Sequence, residues 1–275
     1  MVHPGNLTNL LIENNENIIL ALLVLGTSLT SFKEKRKNKI ILAIVAHPDD
    51  EGAFSSVLVK LSKLNKVYVI IATDGRYGTV RGYPAGDSLA AIRQEESKCA
   101  CKILGTQPPI FLGFHDGLGL KDGNGEYFKQ TGELTEKLKQ KIEELNPDYI
   151  LTFGPDGDTG HNDHRNIGAI TTEVLLREGW VEKFPLYYIA WMKKDDLKLK
   201  DATGYGLRTV NSKYYNVQLR FSEEDEDKGL ASMDCYLSQS TTEERKKWKE
   251  VEKADTSNTV YFRQFVISKN KKIGF

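Results

Sequence analysis

The sequence predicts an α/β fold: a mainly parallel β-sheet with helices on both faces, preceded by an apolar helical segment. Short runs rich in Val, Ile and Leu have both faces apolar, as strands buried in a parallel sheet do. These runs alternate with amphipathic stretches of helical period, the order that βαβ units produce. Two clusters of histidine and carboxylate follow two of the runs, at the end of the sheet where ligands of open α/β sheets bind.

The elements follow in chain order. From Asn17 to Phe32 the chain reads NIILALLVLGTSLTSF, sixteen residues without a charge, and Lys33–Lys39 (KEKRKNK) comes directly after it. A bilayer core asks for about 20 apolar residues, and this stretch is diluted by Gly26, Thr27, Ser28, Thr30 and Ser31. Three readings stay open: a membrane or interfacial anchor, a soluble capping helix, or an atypical signal peptide that lacks a basic n-region. The basic run on its C-terminal side would hold the remainder of the chain in the cytoplasm, free or anchored to that face of a membrane. The tail is assigned to residues 1–38 and the body to 39–275.

In the body, Ile40–Ala46 (IILAIVA) reads as a buried strand, Gly52–Leu64 as a helix and Val67–Thr73 (VYVIIAT) as a second strand. Ser88–Leu104 reads as a helix stopped by Gly105. A short strand near Ile110–Leu112, a helix near Gly132–Leu145, a strand Tyr149–Phe153 and a helix from about Asn162 continue the alternation. Leu186–Met192 and Tyr214–Phe221 read as further strands. The stretch SEEDEDK reads as a charged break, its acidic residues making a solvated turn and helix start. Helices near Gly229–Leu237 and Thr242–Val251 and a closing strand Thr259–Ile267 complete the same domain.

Composition narrows the function classes. Of 275 residues, 38 are Lys or Arg and 38 Asp or Glu, so the formal net charge is zero; 40% are hydrophobic and 28% charged. A nucleic-acid partner is excluded, because phosphate neutralisation needs a clustered basic surplus and only Lys33–Lys39 comes near one. Three cysteines, Cys99, Cys101 and Cys235, are too few and too oddly numbered for a disulfide framework, which implies reduced thiols in a reducing compartment. Cys99-x-Cys101 is also spaced too tightly for a zinc clip.

The chemistry lies in the clusters AHPDDE (Ala46–Glu51) and GHNDH (Gly160–His164), the second following Tyr149–Phe153 through the loop GPDGDTG. Although more than a hundred residues separate them, the fold brings both to one cleft. Together they offer His47, Asp49, Asp50, Glu51, His161, Asp163 and His164. A catalytic zinc needs three His or carboxylate ligands and an open position, so side chains remain for proton transfer to and from an attacking water. Spacing alone does not choose between His161 and His164 as ligand. His3 and His115 read as loop residues, and Asp156 and Asp158 as turn residues.

AHPDDE with a distant HxDH resembles the LmbE / PIG-L family of zinc-dependent de-N-acetylases. Thr73–Gly75 (TDG), Arg93, Glu96, Ala100, Leu104 and Gly105 in RxxExxxAxxxLG, Phe153–Gly157 (FGPDG), and Lys228, Ser238 and Gln239 extend the likeness over roughly residues 39–240. The resemblance implies a Rossmann-like core and removal of an N-acetyl group from an N-acetylglucosamine-type conjugate by a zinc-bound water, iron(II) being tolerated by similar sites. It makes His47, Asp50 and His164 the metal ligands and Asp49 the general base. His161 becomes the oxyanion donor and acid, oriented and charged by Asp163. Arg93 helps place the substrate, against the alternative of a surface arginine paired with Glu96. Glu51 braces its loop. Thr159 departs from the pattern, since some relatives carry a tyrosine there as an extra oxyanion donor. The partner implied is a small amino-sugar molecule, with membrane association only through residues 17–32. A lipid-linked or cell-surface amino sugar becomes the natural substrate if that segment does anchor the chain. Two alternatives stand beside this reading: an amidase for another N-acyl substrate, such as a thiol-sugar conjugate, and a non-catalytic ligand-binding relative. Oligomeric state has no signature in the sequence.

Overall fold

The computed structural model describes residues 38–204 and 206–267. The expected anchor at residues 17–32 lies outside the described residues. No helix among the described residues is long and apolar enough to cross a membrane.

Seven strands form one sheet: β1 (Ile40–Val45), β2 (Lys66–Thr73), β3 (Ile110–Phe114), β4 (Tyr149–Thr152), β5 (Leu186–Ala190), β6 (Val217–Arg220) and β7 (Thr259–Phe265). Their spatial order is β3-β2-β1-β4-β5-β7-β6. The first five are parallel, with Ile41 registered on Val67 of β2 and on Tyr149 of β4. β7 runs antiparallel to β5, and β6 to β7. The expected mainly parallel sheet thus carries an antiparallel edge.

Among the described residues, seven α-helices cover it: α1 (Ser55–Ser62), α2 (Asp87–Leu104), α3 (Asn124–Leu145), α4 (Asn162–Arg177), α5 (Lys193–Thr203), α6 (Glu223–Ser232) and α7 (Thr242–Lys253). α1, α2 and α6 pack together, and α3 packs on α4. Right-handed crossovers put α1 and α2 on one face as the chain steps from β1 to β3, and α3 on the other as it returns to β4 beside β1. The core is continuous: Ile41, Leu42, Ala43, Ile44 and Val45 of β1 are fully buried, with Val69, Ile70 and Ile71 of β2 beside them.

The chain changes winding direction between β1 and β4. The loops after these strands are therefore neighbours, and they are the loops that carry the two clusters. α4 is held close to its strand by Gly168, where a Cβ would overlap the Phe153 carbonyl oxygen. One turn earlier, the His164 ring stacks on Phe153 with centroids 4.3 Å apart and planes 8° from parallel.

Several boundaries differ from expectation for identifiable reasons. The first helix is preceded by a 3-10 turn over Asp50–Phe54 rather than starting at Gly52. α3 begins at Asn124, two turns before Gly132, its start masked in the sequence by the helix-weakening Gly125 and Gly132. The charged break is helical: Ser222 caps Asp225 and Asp225 caps Ser222, so α6 starts at Glu223 rather than Gly229. α5 (KKDDLKLKDAT) is unannounced in the sequence because, among its described side chains, Leu199 is the one buried apolar residue.

The cysteine expectation is corrected. Cys99 of α2 and Cys235, just beyond α6, form a disulfide across 136 residues, and Cys101 alone is a buried free thiol. Two cysteines distant in sequence met because α2 and the 3-10 turn Met233–Cys235 pack together. Such a bond is rare in a thiol-reducing compartment.

Candidate active site

The loop after β1 is closed by its own carboxylate. Asp50 Oδ2 accepts the backbone N–H groups of Ala46 (3.1 Å) and His47 (2.7 Å), folding the side chain back over the strand end. Asp49 occupies the left-handed region at φ 108°. The two adjacent aspartates consequently face different ways: the Asp50 side chain is 9% exposed and that of Asp49 35%.

Asp50 lies between two imidazoles. Its Oδ2 is 3.2 Å from His47 Nδ1 and its Oδ1 is 3.0 Å from His164 Nε2. On the far edge of His47, Nε2 meets Asp163 Oδ2 at 3.1 Å, and that oxygen also accepts the Gly117 N–H at 2.7 Å. Gly117 can offer its N–H because Gly117, Leu118 and Gly119 all take positive φ in the loop after β3.

Burial opposes a charge on His47, but Asp50 and Asp163 outweigh it and raise its pKa to about 10. Burial likewise disfavours the Asp50 carboxylate, yet His164 and His47 hold it well below the usual carboxylate range. The same balance of burial against Asp50 raises His164. Burial lifts Asp49 to about 6, against the pull of Arg93.

His161 caps α4: its Nδ1 accepts the Asp163 backbone N–H at 3.2 Å. A nitrogen that accepts carries no proton, so the neutral ring bears its proton on Nε2. Burial, then the neighbouring His47 and His164, lower its pKa. The expected orientation of His161 by the Asp163 carboxylate is therefore corrected. Asp163 fixes that ring through its backbone, while its carboxylate turns inward to His47.

Arg93 is not the surface arginine paired with Glu96. Its guanidinium is buried, donating to the carbonyls of Gly75 (3.0 Å) and Pro48 and lying 2.9 Å from Asp49. Glu96 is instead occupied by the N–H (2.7 Å) and hydroxyl (2.6 Å) of Ser238. Gln239 Nε2 donates to Gly78 O at 3.0 Å, and a Cβ on Gly78 would collide with the Arg93 guanidinium. The late Ser238-Gln239 pair thus closes the loop after β2 over Arg93, which meets the site at Asp49.

Two residues had little signal in the sequence. Glu51 is wholly buried, accepts the Tyr236 hydroxyl and has its pKa pushed up to about 8 by burial, which agrees with a bracing role. Asp158, read as a turn residue, is 8% exposed and lies in the second cluster's loop, where it accepts the Trp191 indole N–H. Thr159 and His161 are exposed at the mouth of the site.

Could this group hold a metal? Ligand atoms of His47, His161 and His164 lie within 4.8 Å of one another, and Asp50 adds a carboxylate oxygen beside two of them. Asp163 Oδ1 and His164 Nδ1 are buried without a hydrogen-bond partner. Two imidazoles drawn to positive charge around one ionised carboxylate form the electrostatic setting that a divalent cation occupies in their place. The donor set of nitrogen and carboxylate oxygen fits zinc.

Residues 42–175 match the family described as PIG-L, GlcNAc-PI de-N-acetylase. The chain is 30% identical over 169 residues to a probable N-acetyl-alpha-D-glucosaminyl L-malate deacetylase 2 of Bacillus anthracis, covering 60% of this chain and 71% of that one. Its fold is similar to that of the N,N'-diacetylchitobiose deacetylase of Pyrococcus horikoshii (TM-score 0.57, 21% identity, 96% and 95% of the two chains). It is also similar to the fold of GalB, a 4-carboxy-2-hydroxymuconate hydratase of Pseudomonas putida (TM-score 0.58, 14% identity, 86% and 100%). A deacetylase and a hydratase on one fold leave the chemistry to be argued from the site.

Proposed function

This chain belongs to the PIG-L family of GlcNAc-PI de-N-acetylases, and from that premise we propose that it is a zinc-dependent hydrolase removing an N-acetyl group from an N-acetylglucosamine-type conjugate. The observation that carries the reading is the convergence of Asp49, Asp50, His47, His161 and His164 at the junction of β1 and β4, with a separate environment for each. A metal site alone would need no half-exposed base and no outward imidazole.

His47, Asp50 and His164 would hold the ion. When bound, zinc would polarise the acetyl carbonyl and ease deprotonation of the attacking water. Asp49 is the general base: it is accessible, its pKa near 6 lies close to working pH, and Arg93 fixes its direction. His161 stands at the mouth with Nε2–H outward, a donor for the oxygen on which negative charge develops. The proton that Asp49 takes from the water can then pass to the departing amine. Asp50, by contrast, is held ionised and enclosed, as a ligand should be. The deacetylase activity named for the Bacillus anthracis relative supports an amino sugar as the substrate.

The test is acetate release from a panel of N-acetylglucosamine conjugates by the purified protein, with its metal content measured alongside. Chelator-sensitive release that returns on adding zinc is the expected result. Bound zinc with no release from any sugar would transfer the reading to another amide substrate, and absence of bound metal would overturn the ligand assignment.

A further inference from the structure

The two imidazoles that flank Asp50 are treated alike on their far edges. His47 presents Nδ1 to Asp50 and Nε2 to Asp163. His164 presents Nε2 to Asp50, and its Nδ1 faces Asp158 Oδ2 at 3.6 Å. Each ring therefore lies between the central carboxylate and an outer one.

Asp158 is an improbable residue to bury for the sake of a turn. A carboxylate taken out of water needs donors, and this one has the Trp191 indole N–H on Oδ1, the neighbouring Thr159 backbone N–H, and the His164 ring edge facing Oδ2. That Nδ1 is itself buried and has no hydrogen-bond partner in the described structure. The backbone is arranged to keep the carboxylate there. Asp158 takes φ 62°, its N–H is given to Asp156 Oδ1 at 3.3 Å, and its carbonyl accepts the Arg208 N–H at 2.6 Å. Trp191 is fixed in turn, its carbonyl accepting the Tyr215 hydroxyl at 2.9 Å.

We propose that Asp158, anchored by Trp191, is the positioning carboxylate of His164: it holds the proton on Nδ1 and so leaves the Nε2 lone pair for the metal that Asp50 also binds. The proposal rests on the reading of His164 as a ligand. Imidazole ligands generally need such an outer partner, whose loss weakens metal binding by about 10- to 100-fold. The last parallel strand, β5, would then contribute to the metal site through Trp191, the residue that follows it, although it carries no ligand.

The experiment measures the zinc dissociation constant by competition with a chromophoric chelator, and separately the melting temperature of the metal-free proteins. Wild type is compared with Asp158→Asn, Trp191→Phe and His164→Ala. Asparagine tolerates the left-handed backbone at 158 and keeps the indole contact through its amide oxygen, so that variant should fold. The expected result is zinc binding weakened 10- to 100-fold in Asp158→Asn, by a smaller factor in Trp191→Phe, with metal-free melting close to wild type. Restoration of affinity in Asp158→Glu, whose longer carboxylate can close the 3.6 Å gap, would add direct support. If His164→Ala abolishes binding while Asp158→Asn binds within twofold of wild type, the positioning role falls and the ligand assignment stands. If His164→Ala binds as wild type does, or wild type binds no zinc, both fall.

Discussion

The Arg93 guanidinium lies 2.9 Å from Asp49 while donating to the carbonyls of Pro48 and Gly75, so one buried side chain joins the base to the loops after β1 and β2. Arg93→Gln would release Asp49 and leave a buried carbonyl without its donor, at a cost of about 1–3 kcal/mol. The expected outcome is a fall in kcat of tenfold or more with KM little changed, together with a lower melting temperature. A rise in KM at constant kcat would instead mark Arg93 as a direct substrate contact, as the sequence resemblance implies.

Asp49→Asn tests the base itself. Asparagine keeps the shape and accepts the left-handed backbone at φ 108°, but cannot take a proton. Turnover should drop by about 10²–10⁴-fold, with the zinc stoichiometry of wild type. Near-full activity in a metal-replete Asp49→Asn protein would remove Asp49 from the mechanism.

Much of this was legible from residue patterns, and the failures share a cause. β1 and β2 declared themselves as apolar runs because both faces are buried, and Gly105 marked the end of α2 through its positive φ. The two clusters could be placed side by side because both follow strands that turn out to be adjacent. What stayed hidden depended on partners remote in sequence. Arg93 takes its meaning from backbone carbonyls, Asp158 from Trp191 and His164, and Glu51 from Tyr236, 185 residues away. α5 was silent for the opposite reason, having too little apolar surface to show a period.

Cys99 and Cys235 close a loop with a sequence separation of 136 residues, and loss of a native disulfide costs about 2–5 kcal/mol, long loops lying at the upper end. Denaturation midpoints measured with and without reductant should differ accordingly, and the difference should vanish in the Cys99→Ser, Cys235→Ser double variant. The bond also fixes the segment carrying Tyr236, Ser238 and Gln239, which brace Glu51, Glu96 and Gly78. Reduction should therefore lower activity as well as stability. Equal midpoints in the two conditions would show that the thiols are unpaired in solution.

A last prediction concerns pH. Glu252 of α7 lines a cavity of about 60 Å³ with Asp195, Glu226 and Asp255; Lys198 opposes the accumulation of negative charge on Glu252, while Lys194 and Lys253 pair with Asp255 and Glu226. Burial first, and then these three carboxylates, raise its pKa from 4.5 to about 7. A carboxyl group with a raised folded pKa favours the folded state only while it stays protonated. Its contribution is complete below pH 4.5, where both states are protonated, and is lost progressively as pH rises through about 7. Glu252→Gln keeps the neutral form at every pH. It should match wild type in stability near pH 4.5 and exceed it above pH 7, by about 1–3 kcal/mol once the solvent reaching this half-buried group is allowed for. Urea midpoints at pH 5 and pH 8 would measure it, and a stability difference that is the same at both would show that Glu252 titrates normally in the folded chain.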